Sequence, residues 1–478
     1  MAALPGRAAA AASFPVPAGL KLVNYYPAYG GWTYMWERWD PAEIDRDFAR
    51  IEGLNANAVR VIVQPSAFGF PDPRPLYQQR LAEVIDLAAQ HGLTVELTLF
   101  DWWHAYRRIG RAERWARELL APYASDSRIA CIELQNEIDP GDPTAMAWAR
   151  TLLPYLRSIS GDTPVTVSVT GGLDLADQLT ELRQQLGSSL PDFWSVHYYD
   201  KSELAYGVLA ATKAAAGPLP VFVGETGYFA GDSDPRVRRR ADLEDEQVRF
   251  LESMEAADML LGLPPIAPWI LSDFAPDGSP MRLPSSEYHF GLFRVDGRPK
   301  PAAAEVRAYF GSGAPDLGFD GGFEQIEAGL RTPEPALWRR RGAAAFALDP
   351  TVAHSGAFSV SLSGIRGFPT SRATLATIPT APWVTPGEPV TLSAWARGSD
   401  VTGTNLISII WYDGTRNYLG RTDSAPVAAG TSDWTQLQVQ TVAPPGAAYV
   451  RIVLSSDGNI GTVWFDDVAL ADERPSTG

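Results

Sequence analysis

The chain has 478 residues and a formal net charge of −16 at pH 7. This charge would repel a nucleic-acid backbone or an anionic membrane surface, so neither is an expected partner. The hydrophobic fraction of 45% and the charged fraction of 20% are typical of a globular protein, and no apolar run reaches the length of a membrane-spanning helix. The length fits one large barrel followed by one sandwich-sized module.

Residues 1–19 predict an N-terminal extension. They contain Arg7 and the run Ala8–Ala12 but lack the longer apolar core of a signal peptide. We therefore expect a secreted protein whose signal peptide is not part of this chain. The single cysteine, Cys131, excludes an internal disulfide, and its position in an apolar run predicts a buried, unreactive thiol.

Residues 20–310 alternate short β-type runs with amphipathic helical patterns. In the first helical pattern Asp40 is a predicted N-cap, and Ile44, Phe48 and Ile51 form one apolar stripe. Eight β-then-α units predict a (β/α)8 TIM barrel, whereas a doubly wound open sheet would show a glycine-rich phosphate turn that this sequence lacks. The predicted strands are Lys21–Tyr26, Ala58–Val63, Thr94–Phe100, Ile129–Gln135, Val165–Val169, Phe193–Tyr198, Val221–Glu225 and Ala267–Asp273.

The C-terminal third has a different pattern. Residues 311–318 have the Gly, Ser and Pro content of a linker. Residues 319–472 contain only β-type runs between Pro, Gly, Asn and Asp clusters, which predicts an all-β sandwich with a jelly-roll topology. The isolated cluster Arg339–Arg341 is too short for a nucleic-acid site and predicts a solvated loop.

Four ionisable side chains are expected to meet at one end of the barrel. In a TIM barrel the active site lies at the carboxyl ends of the strands, and strand alternation directs every second side chain inward. Arg60, Glu137, His197 and Glu225 satisfy both conditions. Buried charges are costly unless they are paired, so these groups must neutralise one another or bind a polar ligand.

Glu137 and Glu225 follow the fourth and seventh predicted strands. Two carboxyl groups placed in this way suit glycoside hydrolysis, in which one group protonates the leaving oxygen and the other attacks the anomeric carbon. Taken singly, either glutamate is more often an ordinary buried ion-pair partner. Their combination on strands four and seven favours catalysis.

These motifs resemble the cellulase and mannanase type barrels of clan A of the glycoside hydrolases. In that clan an Asn-Glu pair, here Asn136 and Glu137, ends strand four, and a second Glu, here Glu225, ends strand seven. The chain has Ile138 where many of these cellulases have Pro, and its third strand ends in an unusual aromatic segment. Both departures leave the subfamily and the substrate open.

The resemblance also implies roles for the two glutamates. Glu137 would be the acid/base and would start protonated, and Glu225 would be the nucleophile. Arg60 and the Tyr199 hydroxyl would keep Glu225 ionised by lowering its pKa. Asn136 would contact the sugar 2-hydroxyl, and the two carboxyl groups of a retaining enzyme would lie about 5 Å apart. By the same resemblance, His197 belongs to a sixth-strand His-x-Tyr motif, and Trp269 is the eighth-strand sugar platform.

The loop after the first strand, residues 27–40, is unusually aromatic. It predicts a wall on which sugars stack, and the alternative is a hydrophobic cluster that covers the barrel mouth. Trp102 and Trp103 carry the same two interpretations, and His104 is either a substrate contact or a histidine bound to loop backbone. The aromatic residues of the first loop are Tyr29, Trp32, Tyr34, Trp36 and Trp39, of which Trp32 and Trp36 are the predicted sugar contacts.

The C-terminal part resembles carbohydrate-binding jelly-roll modules in three segments, which are Phe319–Glu324, His354–Gly356 and Val463–Val468. By that resemblance Glu324 and Asp467 would frame a structural calcium, since carboxylates are ligands that calcium prefers. The alternative is that both residues cap strand ends. No cofactor is expected for catalysis, because the five histidines lack a metal-ligand spacing.

The sequence therefore predicts a retaining β-glycoside hydrolase that cleaves a neutral polysaccharide or oligosaccharide by double displacement. Endo action on a β-glucan or β-mannan is favoured, and a monomer is expected. Two alternatives remain open, an exo-acting β-glycosidase and a non-catalytic carbohydrate-binding barrel.

Overall fold

The computed structural model describes residues 16, 19–231, 240–283, 285–311, 320–324, 326, 335, 338–342, 345–364, 372–377, 384, 386–413, 417–447 and 449–472. The predicted extension 1–19 and linker 311–318 lie almost entirely outside these residues. The chain forms two compact units. The first comprises Met1–Tyr198, Thr212–Thr226 and Leu263–Leu283, and the second comprises Tyr199–Ala211, Gly227–Gly262 and Pro284–Gly478. The predicted domain limits stay predictions.

The first unit contains a ring of parallel strands. Each strand pairs with the next along the chain, and the backbone of residues 267–271 bonds both to the seventh strand and to Asn24 in the first, which closes the ring. The predicted α/β barrel, followed in the chain by antiparallel sheets, is confirmed. The regular strands are Leu22–Asn24, Ala58–Ile62, Thr94–Thr98, Ile129–Glu133, Val165–Thr166 continued by Ser168–Gly171, Trp194–Tyr198 and Val221–Thr226.

The helices begin and end where local chemistry dictates. In the helix Pro41–Gly53 the Asp40 carboxylate accepts hydrogen bonds from the backbone N–H groups of Ala42 (3.0 Å) and Glu43 (3.1 Å), as expected of an N-cap. The described helices are Thr33–Glu37, Pro41–Gly53, Pro65–Phe68, Pro75–Gln90, Ile109–Leu120, Pro143–Ile159, Leu175–Leu186, Ala205–Ala215, Arg240–Leu261 and Pro301–Gly311. Among these helices, none combines the length and the apolar composition that crossing a membrane requires.

The inside of the ring is layered. Its apolar floor, at the amino ends of the strands, includes Leu22, Ala58, Phe222 and the buried thiol of Cys131. The prediction that Cys131 is buried is confirmed, and burial raises the pKa of its thiol well above the ordinary value.

The second unit contains a sandwich of two antiparallel five-stranded sheets, whose facing side chains form one apolar core that includes Trp338 and Trp411. In spatial order, one sheet consists of Ala345–Asp349, Ser359–Ser363, Thr462–Asp472, Pro389–Val401 and Gly430–Val442. The other consists of Tyr418–Asp423, Thr404–Tyr412, Tyr449–Asp457, Arg372–Thr377 and Trp338–Gly342.

The loop prediction for Arg339–Arg341 is wrong. These residues belong to the strand Trp338–Gly342, which pairs antiparallel with Arg372–Thr377. The buried indole of Trp338 anchors the strand at the edge of its sheet, and edge strands commonly carry charged side chains. Charge density alone therefore gave the wrong secondary structure.

Candidate active site

The site is built around Glu137 and Glu225, at the carboxyl ends of the fourth and seventh barrel strands. One carboxylate oxygen from each glutamate and one ring nitrogen of His197 all lie within 4.8 Å of one another. The backbone of Glu137 has a φ of 47°, a left-handed conformation that is strained for a residue with a side chain. The Glu137 N–H donates to Ser168 Oγ at 2.8 Å, which helps to hold this conformation.

Arg60 binds the carboxylate of Glu225, the candidate nucleophile. Its guanidinium is fully buried, and its Nη1 donates to Glu225 Oε1 and to Asn24 Oδ1, the latter at 3.0 Å. Asn24 in turn donates to Gly224 O at 2.9 Å. The positive charge of Arg60 therefore lies directly beside the Glu225 carboxylate, and the predicted role of Arg60 toward the nucleophile stays a prediction.

Two further carboxylates lie deeper in the barrel beside the same guanidinium. Glu133 Oε2 accepts from Arg60 Nη2 (2.5 Å) and Nε (2.9 Å) and from Thr98 Oγ1 (2.5 Å). Glu96 Oε1 lies 3.5 Å from Arg60 Nε. One guanidinium cannot neutralise three buried carboxylates. Burial and the neighbouring charge of Glu133 raise the pKa of Glu96 to about 7, so Glu96 retains its proton over the acidic range.

The amide of Asn136 is held in one orientation. Its Oδ1 accepts from Arg60 Nη2 at 2.8 Å, and its Nδ2 donates to Asp101 Oδ1 at 3.1 Å. Asp101 also accepts from Gln64 Nε2 at 2.8 Å. Because an amide nitrogen has two hydrogens, Asn136 retains one N–H that can donate to a ligand.

His197 is fully buried and lies close to both catalytic candidates. Its Nδ1 is 3.1 Å from Glu137 Oε1 and 3.5 Å from Glu225 Oε2. Burial lowers the pKa of His197, but the charges of Glu225 and Glu137 and the bond to Glu137 raise it above the ordinary value. Burial raises the pKa of Glu137, but the bond and charge of His197 lower it below the ordinary value.

This pair corrects the expectation that Glu137 is protonated in the free protein. The pKa directions place the shared proton on His197 and leave Glu137 as a carboxylate. The physical reason is the 3.1 Å contact, since an adjacent cation stabilises the ionised form of a carboxyl group. The sequence identified both residues but not their distance.

Aromatic rings surround one side of the site. The ring of Trp32 stacks on that of Trp102 with centroids 5.5 Å apart and an interplanar angle of 18°, and it also contacts Tyr26, Trp269 and Phe274. Trp32 is nearly buried, whereas Trp102 is 51% exposed. A ligand therefore has access to Trp102 first.

Trp36 does not belong to this surface. It is completely buried, its Nε1 donates to Ile62 O at 3.0 Å, and its ring packs on Phe68. The prediction that Trp36 contacts sugar is therefore wrong, and its role is that of the hydrophobic alternative. Trp32 is the N-cap of the short helix Thr33–Glu37, whereas Trp36 lies within it, and their rings are in different environments.

The remaining predicted contacts lie in two places. Trp103 packs on Phe70 and Phe100, and His104 is exposed in the same loop. Tyr199 belongs to the second unit, where its ring contacts Phe290. Its hydrogen bond to Glu225 stays a prediction.

Glu137, His197 and Glu225 are also residue types that bind metal ions. A divalent cation at this position would face the guanidinium of Arg60, which directly contacts Glu225. The unfavourable charge makes the arrangement better suited to a ligand without a positive charge.

Glu324 and Asp467, the predicted calcium ligands, converge on the loop 354–358. Glu324 Oε1 accepts from the N–H groups of Ala357 (2.8 Å) and Phe358 (3.0 Å). Asp467 accepts from Ser355 Oγ at 2.7 Å, and its second oxygen lies 2.6 Å from His354 Nδ1. Calcium would have to displace these donors, so the described contacts fit loop anchoring better than metal coordination.

No protein-family model matches the chain, and no curated protein matches it. Among solved structures, GH5_18 from Streptomyces cattleya in complex with Manb1-4GlcNAc has 19% sequence identity and a TM-score of 0.50, and the match covers 62% of this chain and 82% of that one. GH5_18 from Bifidobacterium longum subsp. infantis has 16% identity and a TM-score of 0.50, with 62% and 80% covered. The chain shares the fold of these proteins.

Several residues of the site were not assigned from the sequence. Four residues contact a predicted site residue directly or through one partner, and they are Asn24, Glu96, Asp101 and Gln64. Their inward positions on strands, or at strand ends, were the available indication. Sequence spacing alone does not tell such residues from ordinary strand residues.

Proposed function

We propose that the protein is a retaining β-glycoside hydrolase, with Glu225 as nucleophile and Glu137 as acid/base. The proposal rests chiefly on the approach of the two carboxylates to within 4.8 Å. Retaining enzymes need about 5 Å between these groups, whereas inverting enzymes need roughly 6.5–9.5 Å to admit a water molecule. The likeness in fold to the GH5_18 proteins agrees with this chemistry.

In the first step Glu225 attacks the anomeric carbon while the leaving oxygen takes a proton from Glu137. The proton is stored on His197, whose Nδ1 lies 3.1 Å from Glu137 Oε1. Substrate binding excludes water and favours the uncharged forms of the pair, which moves the proton onto Glu137. Arg60 binds Glu225 and holds it in place for the attack.

In the second step Glu137, now ionised, accepts a proton from water. The resulting hydroxide equivalent attacks the anomeric carbon, the bond to Glu225 breaks, and the sugar leaves with its original β configuration. The free N–H of Asn136 donates to the sugar 2-hydroxyl throughout, and this bond strengthens as charge develops at the ring. One bond forms and one breaks at the anomeric carbon in each step.

The loops favour a short substrate over the interior of a polymer. The loops that follow the first and eighth strands are bonded together, by Gly31 N to Gly278 O at 2.7 Å, Ala275 N to Ala28 O at 2.9 Å and Arg38 Nη1 to Asp277 O at 2.6 Å. A wall of this kind on one side of the site suits exo action on a β-linked oligosaccharide. Endo action, which the sequence favours, remains the second candidate. In support, the Streptomyces cattleya protein was solved with a disaccharide, Manb1-4GlcNAc.

The test compares Glu225→Ala and Glu137→Ala on an aryl β-glycoside, with Glu118→Ala, an exposed helix position, as the matched control. We expect Glu225→Ala to lose at least about 10³-fold in kcat/KM and to form an α-glycosyl azide when azide is added. Glu137→Ala should give the β-glycosyl azide instead. Normal hydrolysis by Glu225→Ala would contradict the proposal, whereas sugar binding without hydrolysis by the wild type would favour a non-catalytic barrel.

Product analysis separates the two modes of action. An exo enzyme releases one small sugar from the start of the reaction and leaves the viscosity of a polysaccharide almost unchanged. An endo enzyme releases a range of oligosaccharides and lowers the viscosity early. We expect the first result.

A further inference from the structure

A cavity of about 710 Å³ lies in the first unit between the loops that follow the second and third barrel strands. Asp101 lines this cavity and binds Asn136 at 3.1 Å, so the cavity begins one residue from the predicted sugar contact. A volume of this size is within the range of small-molecule sites. It can hold a sugar residue that adjoins the one being cleaved.

The cavity has an aromatic wall and polar donors. Trp102 and Trp103 line it, and the exposed face of Trp102 can stack on a sugar ring. The buried indole N–H of Trp103 has no acceptor within the part of the chain that the structure describes. Buried donors normally have a partner, so this N–H is available to a ligand oxygen.

The cavity also has a cationic side chain on one side, although the protein carries a net charge of −16. Arg108 and His104 line it, and neither forms an ion pair with any described residue. Arg108 is the N-cap of the helix Ile109–Leu120, which has no acidic residue in its first turn and no side-chain cap. The partial positive charge of a helix N-terminus therefore adds to the charge of Arg108.

The one carboxylate that lines the cavity does not cancel this field. Asp101 is almost completely buried and accepts hydrogen bonds from Gln64 Nε2 (2.8 Å), Asn136 Nδ2 (3.1 Å) and the Trp102 N–H (3.0 Å). Burial raises the pKa of Asp101 above its ordinary value, and its described donors are Gln64, Asn136 and the Trp102 N–H rather than Arg108. The cavity thus offers a stacking ring, an unused N–H donor and a cationic side.

We propose that this cavity binds an acidic sugar residue, such as a uronic acid, next to the neutral residue that is cleaved. Its carboxylate would bind Arg108, and its ring would stack on Trp102. This inference rests on the proposed glycosidase function and names the substrate class. A neutral residue would leave the guanidinium without a partner, and a charge-assisted bond is about twice as strong as a neutral one.

The experiment compares two β-linked disaccharides that differ only in a carboxylate or a hydroxymethyl group on the residue that is not cleaved. The proteins are wild type, Arg108→Gln and Arg111→Gln. Arg111 is the matched control, because it is exposed on the same helix and does not line the cavity. We expect the wild type to prefer the acidic substrate and Arg108→Gln to lose roughly 10- to 100-fold in kcat/KM for that substrate alone. Arg111→Gln should keep the wild-type preference.

Binding measured by calorimetry separates this inference from the proposed function. If the acidic disaccharide binds wild type more tightly than Arg108→Gln but no substrate is cleaved, the inference holds and the proposed function fails. If both disaccharides bind equally, or if Arg108→Gln weakens both by the same factor, the inference is overturned. The preference should also shrink at high salt, because the interaction is electrostatic.

Discussion

Replacing Glu96 with Gln should make the protein more stable at alkaline pH. Burial and the charge of Glu133 raise the pKa of Glu96 from 4.5 to about 7. At about 1.4 kcal/mol per pH unit, this shift corresponds to roughly 3 kcal/mol. Below the unfolded pKa of 4.5, Glu96 is protonated in both the folded and the unfolded state, and the stability of the fold is complete. As pH rises from 4.5 to about 7, ionisation favours the unfolded state, so this part of the free energy of unfolding is lost.

Glutamine removes this loss because it cannot ionise, and it can still accept the contact from Cys131 Sγ, which lies 3.4 Å from Glu96 Oε2. Urea unfolding at pH values of about 5, 7 and 9 gives the free energy of unfolding of both proteins. We expect nearly equal stabilities at the lowest pH and an advantage of roughly 3 kcal/mol for the variant at the highest. Glu133→Gln is the contrast, since it removes the negative charge that pairs with the buried Arg60 and should destabilise by roughly 3–5 kcal/mol at every pH. An equal difference between wild type and Glu96→Gln at all three pH values would refute the assignment of the proton to Glu96.

Three other results are expected. His197→Asn should move the alkaline limb of the pH profile of kcat/KM to lower pH, because the variant lacks the imidazole whose raised pKa keeps the shared proton bound. An alkaline limb at the wild-type pH would contradict the proposal that His197 holds this proton. Trp36→Ala should lower the free energy of unfolding by roughly 3–5 kcal/mol, whereas Trp102→Ala should mainly raise KM. A large loss of stability in Trp102→Ala and a raised KM alone in Trp36→Ala would contradict the burial of Trp36 and the exposure of Trp102. Because donors of the loop 354–358 already occupy Glu324 and Asp467, EDTA should leave the Tm of the sandwich unchanged; a fall in Tm that calcium reverses would support the calcium alternative instead.

The barrel could be predicted because its strands are short apolar runs that alternate with amphipathic helices. Because active-site residues of such barrels lie at the carboxyl ends of the strands, the sequence also predicts that Glu137 and Glu225 lie at the same end of the barrel. The predicted ends of the strands differ from the observed ones by only a few residues, as with Ala267–Asp273, where backbone bonds involve residues 267–271. Local pattern was sufficient for these features.

The charge network could not be predicted in the same way. Arg60, Glu96 and Glu133 lie on three neighbouring strands, and their contacts depend on the register of the ring. A shift in register would bring different side chains together. The protonation of Glu137 is equally non-local, because it depends on His197, which is 60 residues away in sequence.

The aromatic loop shows a third limit. Composition identified an aromatic surface after the first strand, but it could not separate the buried Trp36 from Trp32, which stacks beneath the exposed Trp102. The difference arises from the backbone of Trp32, whose φ of 51° starts the short helix that follows. Residue type alone contains no information on that conformation.

Trapping of the covalent intermediate tests the central claim most directly. A 2-deoxy-2-fluoro β-glycoside with an activated leaving group slows the second step, so the sugar should accumulate on the nucleophile. Mass spectrometry of the digested protein should then find one sugar on the peptide that contains Glu225, and Glu225→Gln should remain unlabelled. Turnover of the substrate without a covalent adduct, or an adduct on Glu137 or another residue, would contradict the double-displacement mechanism proposed for this site.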